Sequence, residues 1–225
     1  MSNEIDFDFS LPEGVVGFPE ADARFTFLSS FIVDLPEFIR TTFAQKCLRL
    51  KADAYSKTED YERLELLGEL EHLKKLGPES LSHIVWGGVL VTIFSTFESS
   101  VSSILVHCAK VLEKQEFKIS PRKGFIHSAH TYASEVLGIP LFNSTTDYIL
   151  LRDLALVRNS YVHNGCSVSR FPKAMLEAIT GGAYGGLSLA VENGAWRANE
   201  KNTNFYFQVT EKCFRSFQWR ALELL

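Results

Sequence analysis

The sequence predicts a mainly α protein: an antiparallel bundle of four or five helices, closed by a small C-terminal β-hairpin or meander and a terminal helix. Three observations carry this. Apolar residues recur at three- and four-residue intervals through most of residues 23–180. Helix punctuation stands at Pro36, Gly77-Pro78, Ser120-Pro121, Gly138-Ile139-Pro140 and Asn164-Gly165. One Asn193-Gly194 pair between short apolar runs is the strongest hairpin signal. The chain divides into an extended arm (1–22), a helical bundle (23–180) and a C-terminal segment (181–225) packed on it.

In chain order, residues 1–22 are acidic and carry Phe7, Phe9, Pro12, Gly14, Gly17 and Pro19, which reads as an extended arm. Residues 23–51 are helical in pattern, with Phe27, Phe31, Leu35, Phe38, Ile39 and Phe43 as an aromatic face for a core or a dimer contact; Pro36 is expected to interrupt them. Residues 58–76 form a charged helix with a solvated face, ended by Gly77-Pro78. Residues 79–114 make the longest helix, apolar on most sides, as a central bundle member would be. Glu98 interrupts that apolar run, either as an edge residue reaching solvent or as a carboxylate that orients Arg158 or Arg152.

Ser120-Pro121 opens a further helix, with Pro at the favoured first position. His127 and His130 lie on it three residues apart, too few groups for a metal site. Residues 173–179 form a short helix. Gly181, Gly182, Gly185 and Gly186 lack a following P-loop Lys and read as a turn. Residues 187–191 and 195–197 are the hairpin strands, residues 205–209 a third strand, and Thr210 the cap of a terminal helix. Four dispersed cysteines without a CxxC pair indicate reduced thiols, with no metal and no other cofactor. The N-terminus lacks a signal-peptide layout, and the stretch from Ile84 to Phe94 is too short to span a bilayer; the expected location is the cytoplasm, with no membrane partner.

The formal charge of −4 is unevenly spread. Residues 1–117 hold 11 basic and 19 acidic side chains, whereas residues 118–173 hold seven basic and three acidic ones. That basic third contains the most informative stretch, residues 144–165. Ser144 or Thr145 can cap its first turn, Asp147 complements the positive end of the helix dipole, and Asn164-Gly165 ends it. Tyr148, Leu151, Leu154, Ala155, Tyr161 and Val162 supply its apolar stripe. Arg158, Asn159 and His163 gather near its end. Asn159 and His163 share a face, while Arg158 and His163 diverge by roughly 140°. A fixed guanidinium beside a titratable imidazole suits phosphate chemistry. A surface Arg and a His capping the last carbonyls fit the same spacing.

The run Arg158-Asn159-x3-His163-Asn164 at the end of an amphipathic helix resembles the motif helix of the HEPN superfamily, over about residues 24–173. The resemblance implies a metal-independent endoribonuclease in which the RNA 2′-hydroxyl attacks the adjacent phosphate. The Arg and His of two protomers would meet across a homodimer. It makes Arg158, His163 and Asn159 the catalytic group; the residues themselves offer Arg152, Glu98, Arg122, Lys123 and Asn164 as RNA-binding or supporting groups, and His127 and His130 as outer RNA contacts or a plain polar helix face. It also implies a role in defence, toxin–antitoxin pairing or stress response, with RNA and an antitoxin or defence protein as partners. One departure stands out: Gly165 occupies the place where HEPN toxins with a nucleotidyltransferase antitoxin carry a Tyr. A non-catalytic HEPN-like dimerisation, RNA-binding or scaffold module is the alternative.

Overall fold

A computed structural model describes residues 18–181 and 190–225 of the chain. Most of the expected N-terminal arm, and residues 182–189 of the glycine-rich turn and first strand, lie outside the described residues. The elements are α1 (Pro19–Ser56), α2 (Asp60–Val111), α3 (Gly124–Glu135), α4 (Thr145–His163), α5 (Lys173–Thr180), β1 (Ala190–Glu192), β2 (Ala195–Arg197) and α6 (Glu200–Leu224). The described chain is mainly helical.

Two expected helix breaks are absent. Pro36 lies inside α1, and the helix already begins at Pro19, within the expected arm. A helical proline costs about 3 kcal/mol. Burial of Phe25, Leu28, Ile32 and Leu35 on the turns before it, at about 1.5–3 kcal/mol each, offsets that cost. Gly77-Pro78 does not end a helix either; it lies within α2, which runs unbroken for 52 residues, about 78 Å. Gly77 has a packing role instead. A Cβ there would stand 2.8 Å from Phe43 Cε2 and 2.8 Å from Leu73 Cδ1, so only glycine lets α1 approach this closely. The distal halves of α1 and α2 pair as an antiparallel hairpin.

The proximal half of α2 is the centre of the core, with α1, α3, α4 and α6 packed around it. Leu90, Ile93, Phe97, Val101, Ile104 and Leu105 are fully buried. The segment Glu79–Val111 is long and apolar enough to cross a membrane by length and composition, exceeding the stretch from Ile84 to Phe94 singled out in the sequence. Half of its most apolar window is buried inside the protein, as a core helix requires.

The third strand expected at residues 205–209 is part of α6. The helix starts ten residues before Thr210, because Asn199 and Asn202 form a capping box: each side chain accepts the other's backbone N–H at 3.0 Å. Once started there, the aromatic run adopts helical spacing, and Tyr206, Phe207, Thr210, Phe214 and Phe217 all face inward. Phe25 of α1 stacks on Phe214 at 4.5 Å, while Asp22 accepts from Arg215 and, at 2.9 Å, from Gln218 Nε2. The C-terminal segment therefore shares the main core. β1 and β2 pair antiparallel across Asn193-Gly194, and residues 166–168 flank them through the Ser167–Ala195 bridge.

α3 begins at Gly124 rather than at Pro121. The Ser120 carbonyl accepts from both Lys123 and Gly124 N–H in a turn, and the positive φ of Gly124 (72°) separates that turn from the helix.

α4 leans on α2 through Tyr161, whose hydroxyl donates to the Ile84 carbonyl at 2.9 Å. A Cβ placed on Gly87 would fall inside the Tyr161 ring. Gly87→Ala is therefore expected to lower unfolding stability by about 1–3 kcal/mol despite its better helix propensity. Urea denaturation checks this; Gly88→Ala, with open space around its Cβ, serves as the control.

Candidate functional site

α4 forms because Ser144 caps it, its side chain accepting the Asp147 N–H at 3.1 Å, and because Leu150, Leu151, Leu154 and Val157 bury one face. Val162, assigned to that stripe, is exposed instead, since the helix leaves the core in its last turn. The end is held by a cluster of four elements. Trp196 of β2 is fully buried and donates its indole N–H to Ser160 Oγ at 2.6 Å. The Cys166 N–H reaches back to the Ser160 carbonyl at 2.9 Å, with Gly165 (φ 54°) and Cys166 (φ 64°) both left-handed.

His83 of α2 closes the cluster. Its Nδ1 accepts the Ala198 backbone N–H at 2.9 Å, its Nε2 lies 3.5 Å from Cys166 Sγ, and its ring meets Tyr161 and Trp196 edge-on. An accepting Nδ1 carries no proton, so the imidazole is neutral with its hydrogen on Nε2. Burial and then the nearby Arg197 charge push its pKa below the ordinary value of 6.5.

Beside this helix end, α2, the turn before α3, α3 and α4 enclose a cleft of about 610 Å³. It brings together Glu98, Lys123, Arg152, Arg158 and Asn159 of the sequence-assigned residues. Arg158 is its best-anchored cation. The guanidinium lies over the Phe94 ring at 5.7 Å, Nη1 donates to Asn159 Oδ1 at 2.9 Å, and Nη2 stands 3.8 Å from Glu98 Oε2. Its Nε is buried without a hydrogen-bond partner among the described residues. Burial raises the Glu98 pKa and the Arg158 charge opposes that rise. Of the two readings of Glu98, the structure has the carboxylate facing Arg158.

Arg152 is exposed and grips the buried Asp153 carboxylate through Nε and Nη2, at 3.1 and 2.9 Å. Lys123 lines the cleft with no ion pair among the described residues. Arg122 lies in the exposed turn outside the cleft, and Asn164 is the C-cap of α4, its N–H on the Ser160 carbonyl at 3.0 Å. His163 is exposed and does not line the cleft; among the described residues it makes no hydrogen bond or ion pair. Asn159 holds Arg158, not His163.

The cleft also contains a pair that sequence reading did not assign to the site. His127 Nδ1 and the Tyr148 hydroxyl lie 3.2 Å apart on its α3–α4 wall. His127 was visible as a polar helix residue, but Tyr148 looked purely apolar; no local signal links positions 21 residues apart. Among the described residues, no three His, Cys, Asp or Glu side chains gather as a metal site.

Comparison with protein-family models, with curated proteins and with solved structures gave no match to this chain.

The His83 geometry has a pH consequence. Below about pH 6.5 the unfolded chain binds a proton at this position that the folded chain refuses, so stability is present at neutral pH and declines as pH falls toward the lowered folded value. His130, also lowered by burial and by His127, acts in the same direction. Melting temperature should fall on acidification from pH 7.5 to 5.5, and His83→Asn, whose Oδ1 can still accept the Ala198 N–H, should reduce that fall without abolishing it. Thermal scans across this range test the expectation.

Proposed function

We propose that this chain is a HEPN-type, metal-independent endoribonuclease. The 2′-hydroxyl of an RNA strand attacks the adjacent phosphorus, a 2′,3′-cyclic phosphate forms, and the 5′-oxygen leaves with a proton. His163 takes or supplies a proton, and Arg158 stabilises the charge that develops on the phosphorane-like transition state. The observation that carries the reading is the placement of Arg158. It is packed on Phe94, oriented by Glu98 and Asn159, and opens with Lys123 and Arg152 onto one cleft large enough for a nucleotide unit. Arg158 is held by packing and by a carboxylate, as a group that must meet a phosphate in a fixed orientation needs to be.

The resemblance places the Arg and His of two protomers around one phosphate. The exposure of His163, Val162 and Asn159 on the outer face of the last turn of α4 leaves that face accessible to a second copy. The same observation also favours a second reading. A His163 outside the cleft, with no side-chain partner among the described residues to orient it, suits a catalytically silent dimerisation or RNA-binding scaffold. In either case the setting is cytoplasmic defence, toxin–antitoxin pairing or stress response, with RNA and an antitoxin or defence protein as partners.

The two readings separate on a simple assay, RNA incubated with purified protein in EDTA. The RNase reading expects cleavage to persist in chelator and to fall by about a hundredfold or more in His163→Ala, whose exposed side chain leaves melting temperature within a few degrees. Arg158→Ala should abolish cleavage too, but at a larger stability cost, because Glu98 is left half-buried without its cation. Arg158→Lys should remain impaired, since an ammonium lacks the planar fork. Cleavage that survives His163→Ala and Arg158→Ala rejects the assignment; binding without cleavage selects the scaffold.

A further inference from the structure

Helix α1 carries two apolar seams. The inner one, through Phe25, Leu28, Ile32 and Leu35, is buried against the protein. The outer one is solvent-facing: Phe27 (73% exposed), Phe31 (44%), Phe38 (61%), Leu48 (66%) and Tyr55 (68%). These positions fall on one register. Residues 27, 34, 41, 48 and 55 repeat every seven, and 31 and 38 follow the first two members by four, as in the seam of a coiled coil. The stripe extends over about 42 Å, with no element of the described residues on it. An amphipathic helix needs one such face for its own core; α1 has a second.

We propose that this outer seam is the surface on which a second copy of the chain docks, α1 lying antiparallel to the α1 of its partner. Charge identifies the occupant. Between residues 19 and 37, α1 carries four acidic side chains and one basic; between 38 and 56 it carries four basic and one acidic. A helix whose charge inverts at its midpoint is complementary to itself when reversed, the requirement of an isologous two-fold contact. The register follows from charge: Asp34 in the seam opposite Arg49 at its edge defines one two-fold point between Thr41 and Thr42. The same pairing brings Phe27 close to Tyr55 and Phe38 opposite Gln45, and small threonines stand where the two backbones come closest. Both charged residues are exposed. The seam contributes nothing to the Arg158 cleft, so this association stands apart from any pairing of the α4 ends, and its failure leaves the ribonuclease reading untouched.

The test is a charge exchange read by light scattering on the full chain at micromolar concentration. Wild type should show twice the 25.4 kDa chain mass, or a multiple of that dimer where the α4 ends pair as well. Asp34→Lys faces Arg49 with Lys, and Arg49→Glu faces Asp34 with Glu, so each variant alone should dissociate at least about tenfold more readily. Mixed in equal amounts, the two place Lys opposite Glu and Asp opposite Arg, and the wild-type mass should return. Unchanged helicity by circular dichroism shows that the exposed substitutions leave the fold intact. A monomeric wild type, single variants that keep the wild-type mass, or a mixture that does not regain it overturns the proposal.

Discussion

The buried bond from the Trp196 indole to Ser160 Oγ is the contact on which the arrangement around α4 depends. Both groups are inaccessible to water, so losing either partner would leave the other unsatisfied, at about 1–3 kcal/mol. The bond fixes the hairpin against the helix end, and the hairpin in turn presents Ala198 to His83 of α2. Ser160 therefore serves two directions at once, donating to the Val157 carbonyl and accepting from the tryptophan. This closure around Ser160 determines where α4 stops. Because Arg158 and Asn159 precede it by one or two residues, it also sets how they meet the cleft.

Electrostatics in the cleft follow from how its cations are already engaged. Arg152 has half its donor fork on the buried Asp153, and Arg158 shares its charge with Glu98 and Asn159. Burial favours the protonated form of Glu98, while Arg158 favours its anion. A phosphate entering the cleft would compete with Glu98 for the same guanidinium, and a Glu98 that takes up a proton would release it. The carboxylate thus orients the arginine, and its protonation would remove the competing charge.

Much of the architecture was legible from local chemistry. Ser144 as a cap and Asn164-Gly165 as a stop rest on single-residue preferences that the surroundings leave standing, whereas the sequence left Glu98 open between solvent, Arg152 and Arg158. The misreadings share one cause, tertiary packing outweighing a local signal. Pro36 and Gly77-Pro78 look like breaks, but burial on the turns before Pro36, and of Leu70 and Trp86 on either side of Gly77-Pro78, carries the helices through, and Phe43 packs where a Cβ on Gly77 would stand. The aromatic run from Phe205 to Val209 has strand composition, yet the Asn199–Asn202 capping box commits it to helix before composition counts. Within the site, the His127–Tyr148 pair was hidden because it depends on how α3 and α4 are packed. Whether His163 meets a cleft or solvent was open in the sequence, because periodicity does not say where a helix leaves the core.

The unbroken course of α2 gives the molecule a mechanical property. A helix is stiff because every turn is bonded to the next, and a proline removes one bond from that ladder. Pro36 and Pro78 stand at different levels of the pair, since Gly77 meets Phe43, seven residues beyond Pro36. On α2 the joint is Pro78. Beyond that joint, the rod continues without interruption through His83 and Phe94 to Glu98. A load applied at the hairpin tip would be delivered, as rotation of one stiff lever, to the residues that orient Arg158.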